Sequence, residues 1–324
     1  MHVSLVIFED AVLSAISGTI DLIAGTNRYL QEIGKEPAFE LQLVSEKSKN
    51  IHLNVPAQFF CYKTIGEVEE TDLIIVPAFM INPETALQKN KAIIDWIKEK
   101  KQSGTEIASL CFGSYFLAEA GLLNGKTATS HWAAIPDMQQ RYPQVKMLSD
   151  RVITDRDGIY TSGGAFSSLT LIVYLVEKFC GREAAIWVSK MYAVDMDRVS
   201  QAHFSVFKGQ HNHFDSDILR VQHFIEQNFD TDITVEQMAE HAHMSKRNFI
   251  RRFKAATQNT PLEYLQRVRV ESAKKSLEMN EQNIAAMVYD VGYNDLKTFR
   301  MVFKRITGLT PQEYRKKYAR PAVA

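Results

Sequence analysis

Cys111 sits in "SLCFGSYFLAEAGLL", Ser109 to Leu123, between an apolar run and a Gly-containing amphipathic stretch. A strand-to-helix turn at this point would aim the sulfur at a pocket, and the helix N-terminus would lower the thiol pKa. A nucleophilic thiol also requires a base or an acidic partner held near the sulfur. His211-x-His213 and His241-x-His243 are the other groups of potential ligands. No Cys or carboxylate cluster adjoins either pair, so solvated histidines are expected and a metal site is not. "TSGGAFSS", Thr161 to Ser168, has neither Walker nor dinucleotide spacing. It therefore excludes a phosphate-cradling loop, and no cofactor is expected.

These residues need a scaffold, and 324 residues suffice for two domains, each with its own core. Three cysteines (Cys61, Cys111, Cys180) are too sparse for a disulfide framework and suit a reducing cytoplasm. The start, "MHVSLVIFED", lacks a basic leader and reaches Glu9 and Asp10 too soon for a signal peptide. No apolar run approaches the roughly 20 residues of a membrane span. The expectation is a cytoplasmic protein with no membrane partner.

Residues 1–195 alternate between two rhythms. "HVSLVIF", "FELQLVS", "DLIIVPA" and "EIASL" are short apolar runs of the buried, parallel-strand type. Helical stretches lie between them, such as Glu84 to Lys101 with Ile93, Ile94 and Ile97 on one face. The alternation predicts an α/β domain: an open, mostly parallel sheet covered by helices, with ligands at the carboxyl ends of its strands. Phe204 to Asp217 is polar and aperiodic and reads as a linker. Beyond it the pattern is all helical: Ile218, Val221, Ile225 and Phe229 recur at helical spacing, and Thr234 with Gln237 forms a capping box.

The helical half repeats itself. Ser245–Tyr264 and Asp295–Tyr314 align at an offset of 50 residues with eight of 20 positions identical, among them Phe249/Phe299, Phe253/Phe303 and Tyr264/Tyr314. Average residue usage would give about one match. Each copy reads as a short helix, a tight turn and a basic helix, which is helix-turn-helix organisation. Ser245 is expected to cap the first basic helix and Asp295 the second, with Gly292 supplying the second turn. Arg247, Arg251 and Lys254 form a stripe opposite the Phe249/Phe253 seam. Lys297 and Lys304 occupy that stripe in the second copy, flanked by Arg300 and Arg305. Zero net charge conceals this asymmetry, since residues 244–324 hold 17 Lys and Arg against 7 Asp and Glu. A basic end on a neutral chain suggests a polyanionic partner for that end.

Residues 217–318, with "VGYNDLKTFRMVFKRITGLTPQEYR" as the matching pattern, resemble the AraC/XylS DNA-binding domain: two helix-turn-helix units joined by a long helix, here Pro261 to Met279. The resemblance implies that both units read adjacent major grooves of double-stranded DNA. It places Arg247, Ile250 and Arg251, then Lys297, Arg300 and Met301, against the bases. Met301 stands where arginine is common, and His243 where the first turn usually has glycine.

Residues 1–195, through "ASLCFGSYFLAEAGLLNGKTATSHW" and "GIYTSGGAFSSLTL", resemble the PfpI-like branch of the glutamine-amidotransferase superfamily, which implies a flavodoxin-like sheet. Catalytic relatives often place His after the cysteine, where this chain has Phe112, and an acid in the first helix, where it has Ala15. The resemblance therefore implies a binding pocket with no catalytic residue, lined by Cys111, Phe112, His131, Trp132, Gly163 and Gly164. Aromatic walls with few polar groups suit a small nitrogenous or cationic effector.

The expected organisation is a PfpI-like sensor (1–203), a linker (204–216) and a DNA-binding domain (217–324). The expected function is a ligand-sensing transcriptional regulator, a homodimer that meets RNA polymerase. The alternatives are an active amidase or hydratase fused to a DNA-binding domain, and a constitutive DNA-binding protein with an N-terminal dimerisation half.

Overall fold

The computed structural model describes residues 1–279 and 283–319. Residues 280–282 and the last five of the expected 217–324 domain lie outside the described residues. The chain divides into two compact units, Met1–Gln201 and Ala202–Ala324.

The first unit holds β1 (His2–Val6), β2 (Glu40–Ser45), β3 (Asn50–His52), β4 (Gln58–Phe60), β5 (Lys63–Thr64), β6 (Leu73–Val76), β7 (Glu106–Ser109), β8 (Thr127–Ala128), β9 (Lys146–Met147), β10 (Ile153–Arg156) and β11 (Ile159–Ser162). Its α-helices are α1 (Leu13–Glu32), α2 (Pro83–Lys89), α3 (Lys91–Gln102), α4 (Ser114–Glu119), α5 (Ile135–Arg141), α6 (Leu169–Cys180) and α7 (Arg182–Met191). Seven strands form one sheet in the order β10-β11-β7-β6-β1-β2-β5. Every pairing in it is parallel except the β10–β11 hairpin. All four residues of β6 and of β11 are buried, which requires a cover on both faces. α1, α6 and α7 pack on one another, and α4 packs on α2 and α3.

The register pairs Val76 with Ser109 and Ser109 with Thr161. Residues just past these pairs, Cys111 after β7 and Gly163 after β11, therefore emerge at one carboxyl edge. That edge is where sheets of this type hold ligands.

Glu84 to Lys101 forms two helices instead of the expected one. They break at Asn90, whose buried side chain donates to the Ala86 carbonyl (2.9 Å) and whose φ of −108° leaves the helical region. Ile93, Ile94 and Ile97 are buried as expected.

The second unit contains α8 (Ser216–Gln227), α9 (Val235–His241), α10 (Lys246–Thr257), α11 (Pro261–Met279), α12 (Ile284–Asp290), α13 (Leu296–Thr307) and α14 (Pro311–Tyr318). Its two cores are copies of one motif. Phe249 meets Phe253 at 5.4 Å and Phe253 meets Tyr264 edge-on at 85°. Phe299 meets Phe303 at 5.5 Å and Phe303 meets Tyr314 at the same 85°. Thr257 and Thr307 each donate to the carbonyl four residues back at 2.8 Å, and Thr260/Glu263 and Thr310/Glu313 form matching caps.

Residues 204–216, expected as a linker, belong to this second unit, and the division falls between Gln201 and Ala202. The Phe207 amide donates to Glu271 (3.1 Å), and Asn259 donates to Gln210 (2.6 Å). Polarity that reads as solvation in the sequence is tertiary hydrogen bonding in the fold. Ser245 stands at the N-cap of α10 without a side-chain cap bond, whereas Asp295 accepts from the Thr298 amide at 2.6 Å.

Both helix-turn-helix turns pass through the left-handed region, at His243 (φ 55°) and Gly292 (φ 81°). A Cβ on Gly292 would lie 2.7 Å from the Phe229 carbonyl oxygen. We expect Gly292→Ala to lower stability by about 2 kcal/mol or more, through strain and clash together. His243→Gly should instead be neutral or stabilising by up to about 1 kcal/mol. Urea denaturation of the two variants checks the contrast.

Candidate ligand site and nucleic-acid interface

Cys111 follows β7 on a strained turn, with φ of +56°, and opens a single 3-10 turn, Cys111–Gly113, ahead of α4. Gly113 is required there, because a Cβ would lie 2.6 Å from the Val76 carbonyl oxygen. The turn is tied on both sides. The Cys111 amide donates to Ser162 (3.4 Å), and its carbonyl accepts from Ser114 and Ser130, each at 3.1 Å.

The thiol itself is buried. Burial pushes its pKa up to about 11, against a smaller opposing effect of the Ala165 and Phe112 amides. This corrects the expectation that the helix N-terminus would lower it: desolvation outweighs the backbone amides directed at the sulfur. At neutral pH the group is a thiol.

An aromatic wall rises beside it. Phe112 packs on Phe79 at 5.7 Å, His131 lies 5.4 Å from Phe112, and Trp132 lies 5.0 Å from His131. Phe112, His131 and Trp132 are half-buried. The Ala133 amide donates to His131 Nδ1 (3.0 Å), so the neutral ring carries its proton on Nε2. Burial holds the His131 pKa below its ordinary value. Among the described residues no hydrogen bond joins His131 to the Cys111 sulfur.

The glycine pair closes the site. A Cβ on Gly164 would fall 2.0 Å from His131 Cδ2, and one on Gly163 would fall 2.9 Å from Gln201 Oε1. All six residues expected to line a pocket therefore converge on one edge of the sheet.

Gln201 was not expected to take part. It is fully buried, accepts from the Gly164 amide (3.3 Å), and donates to the carbonyls of Ser130 (2.8 Å) and Arg151 (3.1 Å). "VSQAHF" gives no local signal for this role. Ala15 is buried in the first turn of α1. Two clefts lie elsewhere: about 310 Å³ beside Phe8, Asp10 and Lys89, and about 440 Å³ at the opposite strand ends beside Met1, Asp72 and Thr105. Neither includes Cys111.

In the second unit, Arg247, Arg251 and Lys254 on α10 are exposed, as are Lys297, Arg300, Met301 and Lys304 on α13. Ile250 is half-buried and packs against the core, leaving only an edge for a partner. Among the described residues, Arg247, Lys254, Lys297, Arg300 and Lys304 make no ion pair. Several cations off the stripe are engaged: Arg252 binds Asp215 (2.6 Å) and Asp217 (3.1 Å), Lys246 pairs with Glu236, and Arg305 donates to Gln266 at 2.5 Å. The stripe thus presents cations that no acidic side chain among the described residues neutralises.

Comparison with known proteins agrees with both halves. Residues 23–178 match the DJ-1/PfpI family, and residues 238–317 match a helix-turn-helix domain. The chain is 24% identical over 225 residues to the HTH-type transcriptional regulator CdhR of Pseudomonas aeruginosa, covering 69% of this chain and 67% of CdhR. It is 24% identical over 223 residues to the regulator GbdR of the same species, covering 68% of this chain and 60% of GbdR. A putative transcriptional regulator from Vibrio parahaemolyticus shares the N-terminal fold, with a TM-score of 0.53 and 17% identity over 59% of this chain and 98% of that one. Residues 23–178 thus match a DJ-1/PfpI domain and residues 238–317 a helix-turn-helix domain, and the relatives that the chain resembles are helix-turn-helix transcriptional regulators. No helix among the described residues is long and apolar enough to cross a membrane.

The raised thiol pKa has a direct consequence. Site-resolved alkylation of Cys111 should be very slow at pH 7–8, where about a thousandth or less of a thiol with pKa near 11 is ionised. Its rate should climb with pH through 10. A rate that plateaus below pH 8 would contradict a buried neutral thiol.

Proposed function

We propose that this regulator reads DNA sequence through α10 and α13 and senses a small nitrogenous or cationic metabolite at the Cys111–His131–Trp132–Gly164 site, without catalysis. The observation that carries the sensor reading is the buried neutral thiol beside an aromatic wall. Phe112 takes the place of a proton acceptor, and His131 turns its Nδ1 to the backbone. The π faces of the wall attract a cationic group, and the Nε2–H donates to an acceptor such as a carboxylate or carbonyl of the same ligand. Ligand occupancy presses on Gly164 and Ser130, both bonded to Gln201, and the next residue begins the DNA-binding unit. Gln201 is therefore hydrogen-bonded to the site and one peptide bond from the DNA-binding half. The protein acts in the cytoplasm as a homodimer that contacts RNA polymerase.

The DNA reading rests on two unneutralised basic stripes in equivalent positions of a duplicated motif. Arg247, Arg251, Lys297, Arg300 and Met301 face base edges, with a lesser part for Ile250, while Lys254 and Lys304 face phosphates. Affinity should fall linearly in log salt. Arg251→Ala should cost about 1–3 kcal/mol on the selected operator and relax preference at one position, whereas Lys304→Ala should weaken all sequences alike. Equal losses on specific and random DNA for both would displace the reading face.

For the sensor, Cys111→Ser should keep ligand-dependent transcription within a modest factor. Gly164→Ala, which drives His131 from its place, should abolish the response and leave DNA affinity intact. A thermal-shift screen of amino acids, betaines and polyamines identifies the probe for this test, since a bound ligand raises stability by mass action. Turnover of an amide, lost together with the response in Cys111→Ser, would establish an enzyme instead.

A further inference from the structure

His211, His223 and Glu226 converge in the second unit, outside both sites described above. The three offer ligand atoms that all lie within 4.8 Å of one another. His211 Nε2 is 2.9 Å from Glu226 Oε1, and His223 Nδ1 is 3.8 Å from Glu226 Oε2. The two imidazoles are stacked, with centroids 5.2 Å apart and planes at 17°. Three protein ligands, each about 2.0–2.2 Å from a shared zinc ion, fit this spacing after small side-chain rotations.

The surroundings hold the cluster in place. Gly209 has φ of +80°, and a Cβ there would lie 2.3 Å from His211 Cε1 and 2.9 Å from Glu226 Oε1. Only glycine lets the chain bring His211 so close to α8. Tyr264 donates its hydroxyl to Glu226 and accepts from Gln222 Nε2 (3.1 Å), so the carboxylate is oriented from behind as carboxylate ligands commonly are. His213 is directed elsewhere, onto Gln222 Oε1 at 2.8 Å. The His-x-His spacing of the sequence is therefore not the binding pair. Its first histidine finds its partners on α8.

We infer that His211, His223 and Glu226 form a site for a borderline divalent cation of the zinc type, with one position left to water or an incoming ligand. Two imidazoles and one carboxylate match the preference of such ions, and His211 binds through Nε2 once that nitrogen has released its proton. The ion ties residues 209–211 to α8. Those residues lie in the stretch by which the chain enters the DNA-binding unit, so occupancy sets how firmly that entry is held.

Co²⁺ and Zn²⁺ titrations of the full-length protein test the site. We expect one Co²⁺ per chain with the ligand-field absorption of a four- or five-coordinate N/O site, displaced by Zn²⁺. Zn²⁺ should also slow proteolytic cutting within residues 205–215. His223→Ala and His211→Ala should each abolish the absorption and the protection while leaving the metal-free melting temperature near that of the parent, since His223 is 64% exposed and His211 35%. Absence of a Co²⁺ band, a sulfur-to-metal charge-transfer band, or binding unchanged in His223→Ala would each overturn the assignment.

Discussion

The outward face of each helix proposed to read DNA depends on one edge-on aromatic contact, Phe253 on Tyr264 and its copy Phe303 on Tyr314. These rings are fully buried and come from two helices each, so they fix the rotation of α10 and α13 about their own axes. With the Phe face locked inward, helical geometry sends residues 247, 251 and 254, and 297, 300 and 304, to the surface. Removing one such ring costs about 3–5 kcal/mol, a large share of the ~5–15 kcal/mol that holds a domain together. Three of the eight identical pairs between the copies, Phe249/Phe299, Phe253/Phe303 and Tyr264/Tyr314, belong to these aromatic contacts.

In the N-terminal unit the equivalent constraint is the edge shared by β6, β7 and β11. Register alone brings Cys111 and Gly163 together, and the Cys111 turn then buries the sulfur. A strained φ and a fully hydrogen-bonded backbone position the thiol, yet desolvation keeps it protonated. The geometry of a nucleophile turn thus survives with its electrostatics reversed. Gln201 adds a tie across this edge, because one buried amide holds the Gly164 amide and the Ser130 and Arg151 carbonyls at the last residue of the unit.

What was legible in the sequence was local or periodic. The parallel-strand runs, the Ile93/Ile94/Ile97 face, the 50-residue repeat and the Thr234/Gln237 capping box are properties of neighbouring residues. What was missed depends on distant ones. Gln201 has meaning only when β8 and β11 stand beside it. Asn90 interrupts a good helical face because its side chain competes for a backbone carbonyl. The thiol pKa was misjudged because a turn shows its dipole in sequence and its burial only in three dimensions. The polar stretch after Gln201 read as solvated, since its partners on α8 and α11 come from elsewhere. The β10–β11 hairpin did carry a local sign, the Asp157-Gly158 pair at φ +54° and +69°, which is the turn chemistry of a two-residue hairpin.

The central claim is that two equivalent helices, set by equivalent aromatic contacts, read DNA together. Hydroxyl-radical footprinting of the full-length protein on an operator enriched from random DNA tests it most directly. The account predicts that each bound protomer protects two patches on one face of the duplex, about one helical turn apart. The Lys297→Ala/Arg300→Ala double variant should lose one patch and keep the other. A single patch in the parent protein, or simultaneous loss of both patches in a double variant that remains fully folded, would contradict it.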